Sequence, residues 1–329
     1  MENIEFKNLN KRPGGWYKVY VVSLVFCFVL SVLYMLPLKK VVETNEWIED
    51  YVQIAAHRGG ALLNPENTKK AFDYVIKETS YTDIVEIDLR VTKDGVIVVN
   101  HDSDINRMGL DENEKSIEIS EYNYNELTNY NLGRNFVDLN GNKPYLDYSI
   151  EKAKEEGLTL MSLEYFFKEY NQFRDFKVFL EIKESDEKGI YIVNEVMNML
   201  EIYSWFKDRS MLISFDDDIV DYIDDKYDNQ YVGSLGYKVA FQIGFSKLGI
   251  DCLYNSNYEA IFIPYNEEAK NKFKMGLESK RMIDLFKKRN QLVVYWGIDT
   301  VEDMNKFIKA EVNVITTDRP DLLANLLGR

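Results

Sequence analysis

The chain of 329 residues contains two histidines, and both lie at the ends of apolar runs: His57 follows "QIAA" and opens "HRGG", and His101 closes "VIVVNH". Imidazole has the side-chain pKa nearest neutrality, so two of them at one site could take up and return a proton within a single turnover. Between them, "VEIDL" places Glu86 and Asp88 one residue apart. Side chains alternate along a strand, so these carboxylates share one face while Val85 and Ile87 share the other. "KVFLEIKES" repeats the device, with Glu181 and Lys183 opposite Leu180 and Ile182. Three acids gathered in a barrel interior would repel one another and lose hydration, so a cation belongs among them. All-oxygen donors suit a hard divalent ion, Ca²⁺ or Mg²⁺. Lys183 beside them reads as an anion contact, and Arg58 next to His57 could clamp an oxyanion at two points. Each piece alone has a plainer explanation, a solvated strand edge or a satisfied core histidine; the combination is less easily dismissed.

Elements that could position these groups follow from the alternation of short β-branched runs with amphipathic segments, the pattern of a parallel sheet with crossover helices. Strands are expected near 53–57, 84–89, 96–101, 177–183, 210–215, 230–235, 260–264, 292–297 and 312–316. "ENTKKAFDYVIKE", "DIVDYIDDKY", "SKRMIDLFKKRN" and "VEDMNKFIKA" supply helices between them. The expected fold is α/β, a (β/α)8 TIM barrel, with nine candidates for eight strand positions. His57, Glu86, Asp88, His101, Glu181 and Lys183 then fall toward C-terminal strand ends, where barrel sites are built. The link "RVTKDG" is too short for a crossover helix, and Asp94-Gly95 marks a turn, so one helix is missing from the second unit. Residues from about 102 to 176, with the tyrosine-rich "EYNYNELTNYNLGRNF" and the loop signal "DLNGNKP", read as a small inserted subdomain. Its tyrosines could line a substrate lip, although packing of a cap onto the barrel is the simpler role. No internal repeat or low-complexity tract occurs.

Val19 to Leu38 runs for twenty residues without a charge, long enough as a helix to cross a bilayer. The run offers no small-x-small cleavage site, so an anchor is expected rather than a removed signal peptide. Lys7, Lys11, Arg12 and Lys18 precede it, whereas Glu43, Glu46, Glu49 and Asp50 follow Lys39 and Lys40. The positive-inside bias then gives a cytoplasmic arm over 1–18, a span over 19–38, a linker over 39–51 and an extracytoplasmic domain over 52–329. A net charge of −15 argues against a nucleic-acid partner. Cys27 lies in the span and Cys252 stands alone, so the domain holds no internal disulfide. Oligomeric state is not legible.

The segments "HRGGALLNPENTKKAF", "VEIDLRVTKDGVIVVNHD", "FLEIK", "LISF" and "VITTDRPDLL" resemble, in order and spacing, the glycerophosphodiester phosphodiesterases, over roughly residues 52 to 327. The resemblance implies a barrel of the phospholipase-C-like phosphodiesterase kind with an insertion after the second histidine. It implies His57 and His101 as acid and base, Glu86, Asp88 and Glu181 as ligands of one divalent cation, and Arg58 and Lys183 as phosphate contacts. Glu66 and Asn67 of "PENT" also match; they are expected to orient the loop, with a helix N-cap as the simplest explanation. Two segments depart from the family pattern, "LMSLEYFF" over 160–167 and "YWGID" over 295–299, and neither touches a matched position. They leave substrate preference open, Trp296 being the residue expected near the glycerol, with barrel packing as its plainer role.

The implied reaction converts a glycerophosphodiester to sn-glycerol 3-phosphate and an alcohol, the substrate's own glycerol hydroxyl attacking to give a cyclic intermediate that water opens. Lysophospholipids or an envelope glycerophosphate polymer are alternative substrates for the same chemistry beside a membrane. A catalytically silent, membrane-tethered binding module is the alternative of another class, and retention of both histidines and all three carboxylates speaks against it.

Overall fold

The computed structural model describes residues 15–35, 40–110, 114–173, 175–227, 231–250, 254, 256–265 and 278–329. Among them, eight parallel strands close on themselves: β1 (Gln53–Ala56), β2 (Ile84–Val91), β5 (Lys177–Ile182), β6 (Ser210–Ser214), β7 (Val232–Ser234), β8 (Ala260–Pro264), β9 (Leu292–Trp296) and β10 (Val314–Thr317). The β1–β2 and β1–β10 pairings seal the barrel. Alternation decides what each strand shows to each layer. Ala55, Ile84, Phe179, Met211, Ile213, Phe262 and Val294 fill the interior, while Val85, Ile87, Leu180, Ile182, Ile261, Ile263, Val293 and Ile315 meet the surrounding helices.

The expected helices form where their apolar spacing places them. Val301–Lys309 is typical: the Thr300 hydroxyl accepts from the Asp303 N–H at its start, and Met304 and Phe307 are its buried side. Lys69–Asp73 continues through a wide turn over Tyr74–Glu78.

Of the nine strand candidates, the one near 96–101 is accessory. β3 (Ile97–Val99) runs antiparallel to the upper end of β2 and carries the two-residue β4 (Met161–Ser162) on its outer edge. The second unit therefore lacks a helix because "RVTKDG" is a hairpin turn and not a shortened crossover; Gly95 takes φ +82° there. β4 and the helix Leu163–Tyr170, capped by Ser162, account for "LMSLEYFF". Phe166, Phe167 and Tyr170 of that helix pack in the barrel's helix layer. Val98, Ile105, Met108, Ile119, Leu127, Leu132 and Leu160 instead form a separate small cluster, against which Tyr122, Tyr124 and Tyr130 pack.

Of the linker expected over 39–51, residues 40–51 are described and lie across the N-terminal floor of the barrel. The Val41 N–H donates to the Arg289 carbonyl, Asn45 Nδ2 to those of Glu259 and Asn290, and Lys177 Nζ to that of Glu46. Trp47 is 1% exposed and stacks on Phe179 at 5.4 Å, plugging the barrel from below. At the other end of the chain's N-terminal region, Gly15–Met35 is a single helix whose apolar window is long enough to cross a membrane. It begins four residues before the expected span, whereas 36–39, the arm over 1–14 and Cys252 lie outside the described residues.

Candidate active site

His57, Arg58, Glu86, His101, Glu181 and Lys183 line one cavity of about 450 Å³, open to solvent at the C-terminal mouth of the barrel, together with Phe215, Trp296 and Thr316. Asp88, fully buried, adjoins them through Arg58 Nε and Lys183 Nζ. Barrel register gathers the acids. Asp88 pairs with Glu181 across β2 and β5, and oxygens of Glu86, Asp88 and Glu181 lie within 4.8 Å of one another.

His57 and Arg58 leave β1 in a tight turn. Arg58 takes φ 52°, in the left-handed region, and Gly59 follows at φ +81°, where a Cβ would stand 2.8 Å from Ala71 Cβ. The turn aims the Arg58 N–H at Glu86 Oε2 (2.9 Å), its Nη1 at Glu66 Oε1 (3.0 Å) and its Nε toward Asp88 Oδ2 (3.2 Å). His101 arrives from the opposite direction. β3 descends alongside β2, the Asn100 N–H donates to the Asp88 carbonyl, and Arg90 grips the His101 carbonyl at 2.7 Å. The hairpin thus returns His101 to the level of the acids.

Each ring is held by a carboxylate: His57 Nδ1 by Asp318 Oδ1 at 2.6 Å, and His101 Nδ1 by Asp102 Oδ1 at 2.8 Å. That leaves Nε2 of both rings for proton traffic. Burial disfavours a charged His57, but Asp318 outweighs it and pushes the imidazole pKa up to about 9. Sequence reasoning passed over Asp318 although "TTDRPD" contains it. Its partner stands 261 residues away, and only the β1–β10 register, Ala56 opposite Thr317, makes them neighbours. Sequence reasoning likewise passed over Asp102, although its adjacency to His101 is a signal that points to it. Arg107 has no such local signal: it bridges Asp102 Oδ2 (2.8 Å) and Glu66 Oε1 (2.7 Å), joining the two histidine loops through the carboxylate that also holds Arg58.

Glu66 and Asn67 of "PENT" do not cap the helix; they hold Arg58, Arg107 and Asp88. Thr68 is the N-cap of the following helix, accepting from the Ala71 N–H. Asn67, fully buried at φ 56°, donates to Asp88 Oδ2 at 2.7 Å.

Electrostatics separate the three acids. Burial pushes Glu86 up to about 8, helped by the neighbouring Asp88, and raises Glu181 as well, where Lys183 pulls the other way and Asp88 adds to the rise. Asp88 goes the other way: Lys183 and Arg58 outweigh its burial and hold it ionised. Lys183 Nζ lies 2.5 Å from Glu181 Oε1 and 3.1 Å from Asp88 Oδ1. Burial opposes its charge, but these carboxylates raise its pKa. Glu86 Oε1 is buried without a hydrogen-bond partner, and Asp88 Oδ1 has only the Lys183 ion pair. A buried carboxylate oxygen so placed is costly, and three oxygen donors in mutual reach fit a hard divalent cation. Trp296 lies over the mouth, 6.4 Å from the His57 ring and 6.1 Å edge-on to Phe215, with its buried Nε1 lacking a protein partner. None of the tyrosines of 102–176 lines this cavity.

A model of the glycerophosphoryl diester phosphodiesterase family matches residues 57–322. A glycerophosphodiester phosphodiesterase of Bacillus altitudinis is 24% identical over 82% of this chain and 95% of its own length. The lysophospholipase D GDPD1 of Homo sapiens is 41% identical over 80 residues, 24% of this chain and 23% of that protein. Among solved structures, a glycerophosphoryl diester phosphodiesterase domain from Mycobacterium tuberculosis matches with a TM-score of 0.66 at 20% identity, over 85% of this chain and 100% of its own. An Oleispira antarctica phosphodiesterase, solved with the product sn-glycerol-3-phosphate, gives 0.62 at 17% identity, over 85% and 98%.

Proposed function

The chain belongs to the glycerophosphoryl diester phosphodiesterase family and is a phosphodiester hydrolase, and from that premise we propose that its own residues divide the reaction as follows. A glycerophosphodiester enters the mouth beside Trp296, with the glycerol against the indole. Arg58 and Lys183 meet the phosphate oxygens and offset the charge that develops on them. Glu86, Asp88 and Glu181 hold one divalent cation, Ca²⁺ or Mg²⁺, which when bound supplies Lewis-acid polarisation of the phosphoryl group. One histidine takes the proton of the attacking glycerol hydroxyl and the other gives one to the leaving alkoxide. Asp318 and Asp102 fix the orientation of the two rings and stabilise each as it charges. Attack by that hydroxyl forms a cyclic glycerol phosphate and frees the alcohol; water then adds to the phosphorus, one ring taking its proton and the other returning one to the departing glycerol oxygen, which leaves sn-glycerol 3-phosphate.

The observation that carries this reading is the convergence of two carboxylate-held imidazoles and three mutually close acids on a single cavity. The apolar helix Gly15–Met35 supports the further reading of a single-pass anchor, with the arm of 1–18 cytoplasmic and the catalytic domain of 52–329, including the segment of about 102–176, outside. Lysophospholipids are the second substrate reading, favoured by the short, higher-identity match to a lysophospholipase D.

Purified full-length protein with added Ca²⁺ or Mg²⁺ is expected to release sn-glycerol 3-phosphate from glycerophosphocholine, and EDTA to stop it. Activity unchanged in the protein carrying both His57→Ala and His101→Ala would refute the roles given to the rings.

A further inference from the structure

The floor of the barrel is tied to the end of the apolar helix, and this fixes which way the mouth faces. Val41, Val42, Glu43 and Asn45 are all bonded to Arg289, Asn290 or Glu259, residues that immediately precede β9 and β8 and so mark the floor. Trp47 then seals the axis beneath Phe179. Met35 ends the helix, and five links separate it from Lys40, a reach of at most about 18 Å even fully extended. The wall rises from Arg289 to Trp296, seven residues at about 3.3 Å each and tilted by about 36°, so the rim stands roughly 19 Å over the floor. β2 extends three residues past Asp88, lifting the hairpin roughly 8 Å higher at the same tilt. A tether that starts at the floor and cannot span the wall cannot bring the rim down onto the bilayer that holds it.

We propose that the anchor presents the active-site mouth away from its own membrane, so that the substrate is a water-borne glycerophosphodiester and not a lysophospholipid of the same leaflet. This rests on the reading of the site as a glycerophosphodiesterase and of Gly15–Met35 as a membrane span. A lysolipid headgroup in the anchoring leaflet lies on the floor side, with the whole barrel between it and His57, Lys183 and the acids. A soluble diester meets no such barrier.

Full-length protein reconstituted into phosphatidylethanolamine/phosphatidylglycerol vesicles tests this by release of ethanolamine. Glycerophosphoethanolamine in solution is expected to be cleaved, and lysophosphatidylethanolamine in the protein's own vesicles to be cleaved at least about tenfold more slowly than in detergent micelles, where the headgroup can approach the mouth from any side. Inserting about 20 Gly/Ser residues before Lys40 adds an r.m.s. reach of roughly 25 Å, enough to let the barrel invert. That variant is expected to recover cleavage of the lipid in its own membrane while leaving cleavage of the soluble diester unchanged. In a Cys27→Ser, Cys252→Ser background, a fluorophore on Thr44→Cys at the floor is expected to be quenched by headgroup-labelled lipid, and one on Val301→Cys at the rim to be spared.

Equal quenching at both positions, or cleavage of lipid in the native protein's own vesicles as fast as in micelles, overturns the proposal. So does absence of quenching at Thr44→Cys, which would mean that no membrane lies below the floor. Failure to cleave any diester in any form, with the quenching pattern as expected, would instead remove the catalytic reading and leave the orientation standing.

Discussion

Asp318→Asn isolates the contact that only barrel closure creates. The carboxylate sits 2.6 Å from His57 Nδ1 and holds that imidazole's pKa near 9, against 6.5 for the free side chain, despite burial and the adjacent Arg58. Folded His57 therefore keeps its proton to higher pH than unfolded His57. The pair stabilises the fold fully below about pH 6.5, and the contribution fades as pH rises through about 9. Converting the two pKa values gives roughly 3 kcal/mol at pH 6 and less than about 0.3 kcal/mol at pH 10. Asparagine keeps the shape and can still accept from Nδ1, but it cannot hold the imidazolium. The assay is urea unfolding of the full-length protein in mild detergent and EDTA, wild type against variant, at pH 6, 8 and 10. The expected loss is about 3 kcal/mol at pH 6, shrinking to nothing at pH 10, where removal of a carboxylate crowded against Asp299 can even favour the variant. A loss equal at all three pH values would refute the ion-pair account and leave only a neutral hydrogen bond. In the metal-loaded enzyme the same substitution is expected to lower kcat by roughly 10- to 100-fold, the usual cost of losing a group that orients a reacting side chain.

Three further outcomes follow from the geometry. Glu86→Gln removes a desolvated carboxylate repelled by Asp88, so the metal-free barrel is expected to gain about 1–3 kcal/mol while the Ca²⁺- or Mg²⁺-induced rise in melting temperature disappears; a destabilised variant with normal metal response would contradict the cation site. Arg107→Ala cuts the bridge between Asp102 and Glu66 and is expected to reduce kcat about tenfold with near-normal stability, Arg107→Lys recovering part of it, as steady-state kinetics with glycerophosphocholine would show. Trp47→Ala opens the floor beneath Phe179 and is expected to cost about 3–5 kcal/mol in urea unfolding; a loss under about 1 kcal/mol would mean that the segment of 40–51 is not a structural plug.

Much of this molecule is a local consequence of its sequence. Period-two alternation in "VEIDL" and "FLEIK" sends the carboxylates inward and Val85, Ile87, Leu180 and Ile182 outward wherever a strand forms there, because successive side chains must point to opposite faces. The amphipathic segments had to become helices with their apolar side on the sheet, and the short "RVTKDG" link ruled out a crossover. Which strand lay outside the barrel was not decided locally: β3 resembles the others in composition, and only the register of β2, whose upper end extends beyond the barrel, gives it an antiparallel partner. Asp318 could meet His57 only when the first and last strands paired, Arg107 could bridge two loops only once the hairpin had brought His101 back to the acids, and a charged, ordinary-looking linker became a floor only because Trp47 found an open barrel axis to fill. Side-chain alternation and helical periodicity act over a few residues and can be read from the chain, whereas closure, register and the filling of a cavity join residues hundreds of positions apart and exist only in the folded barrel.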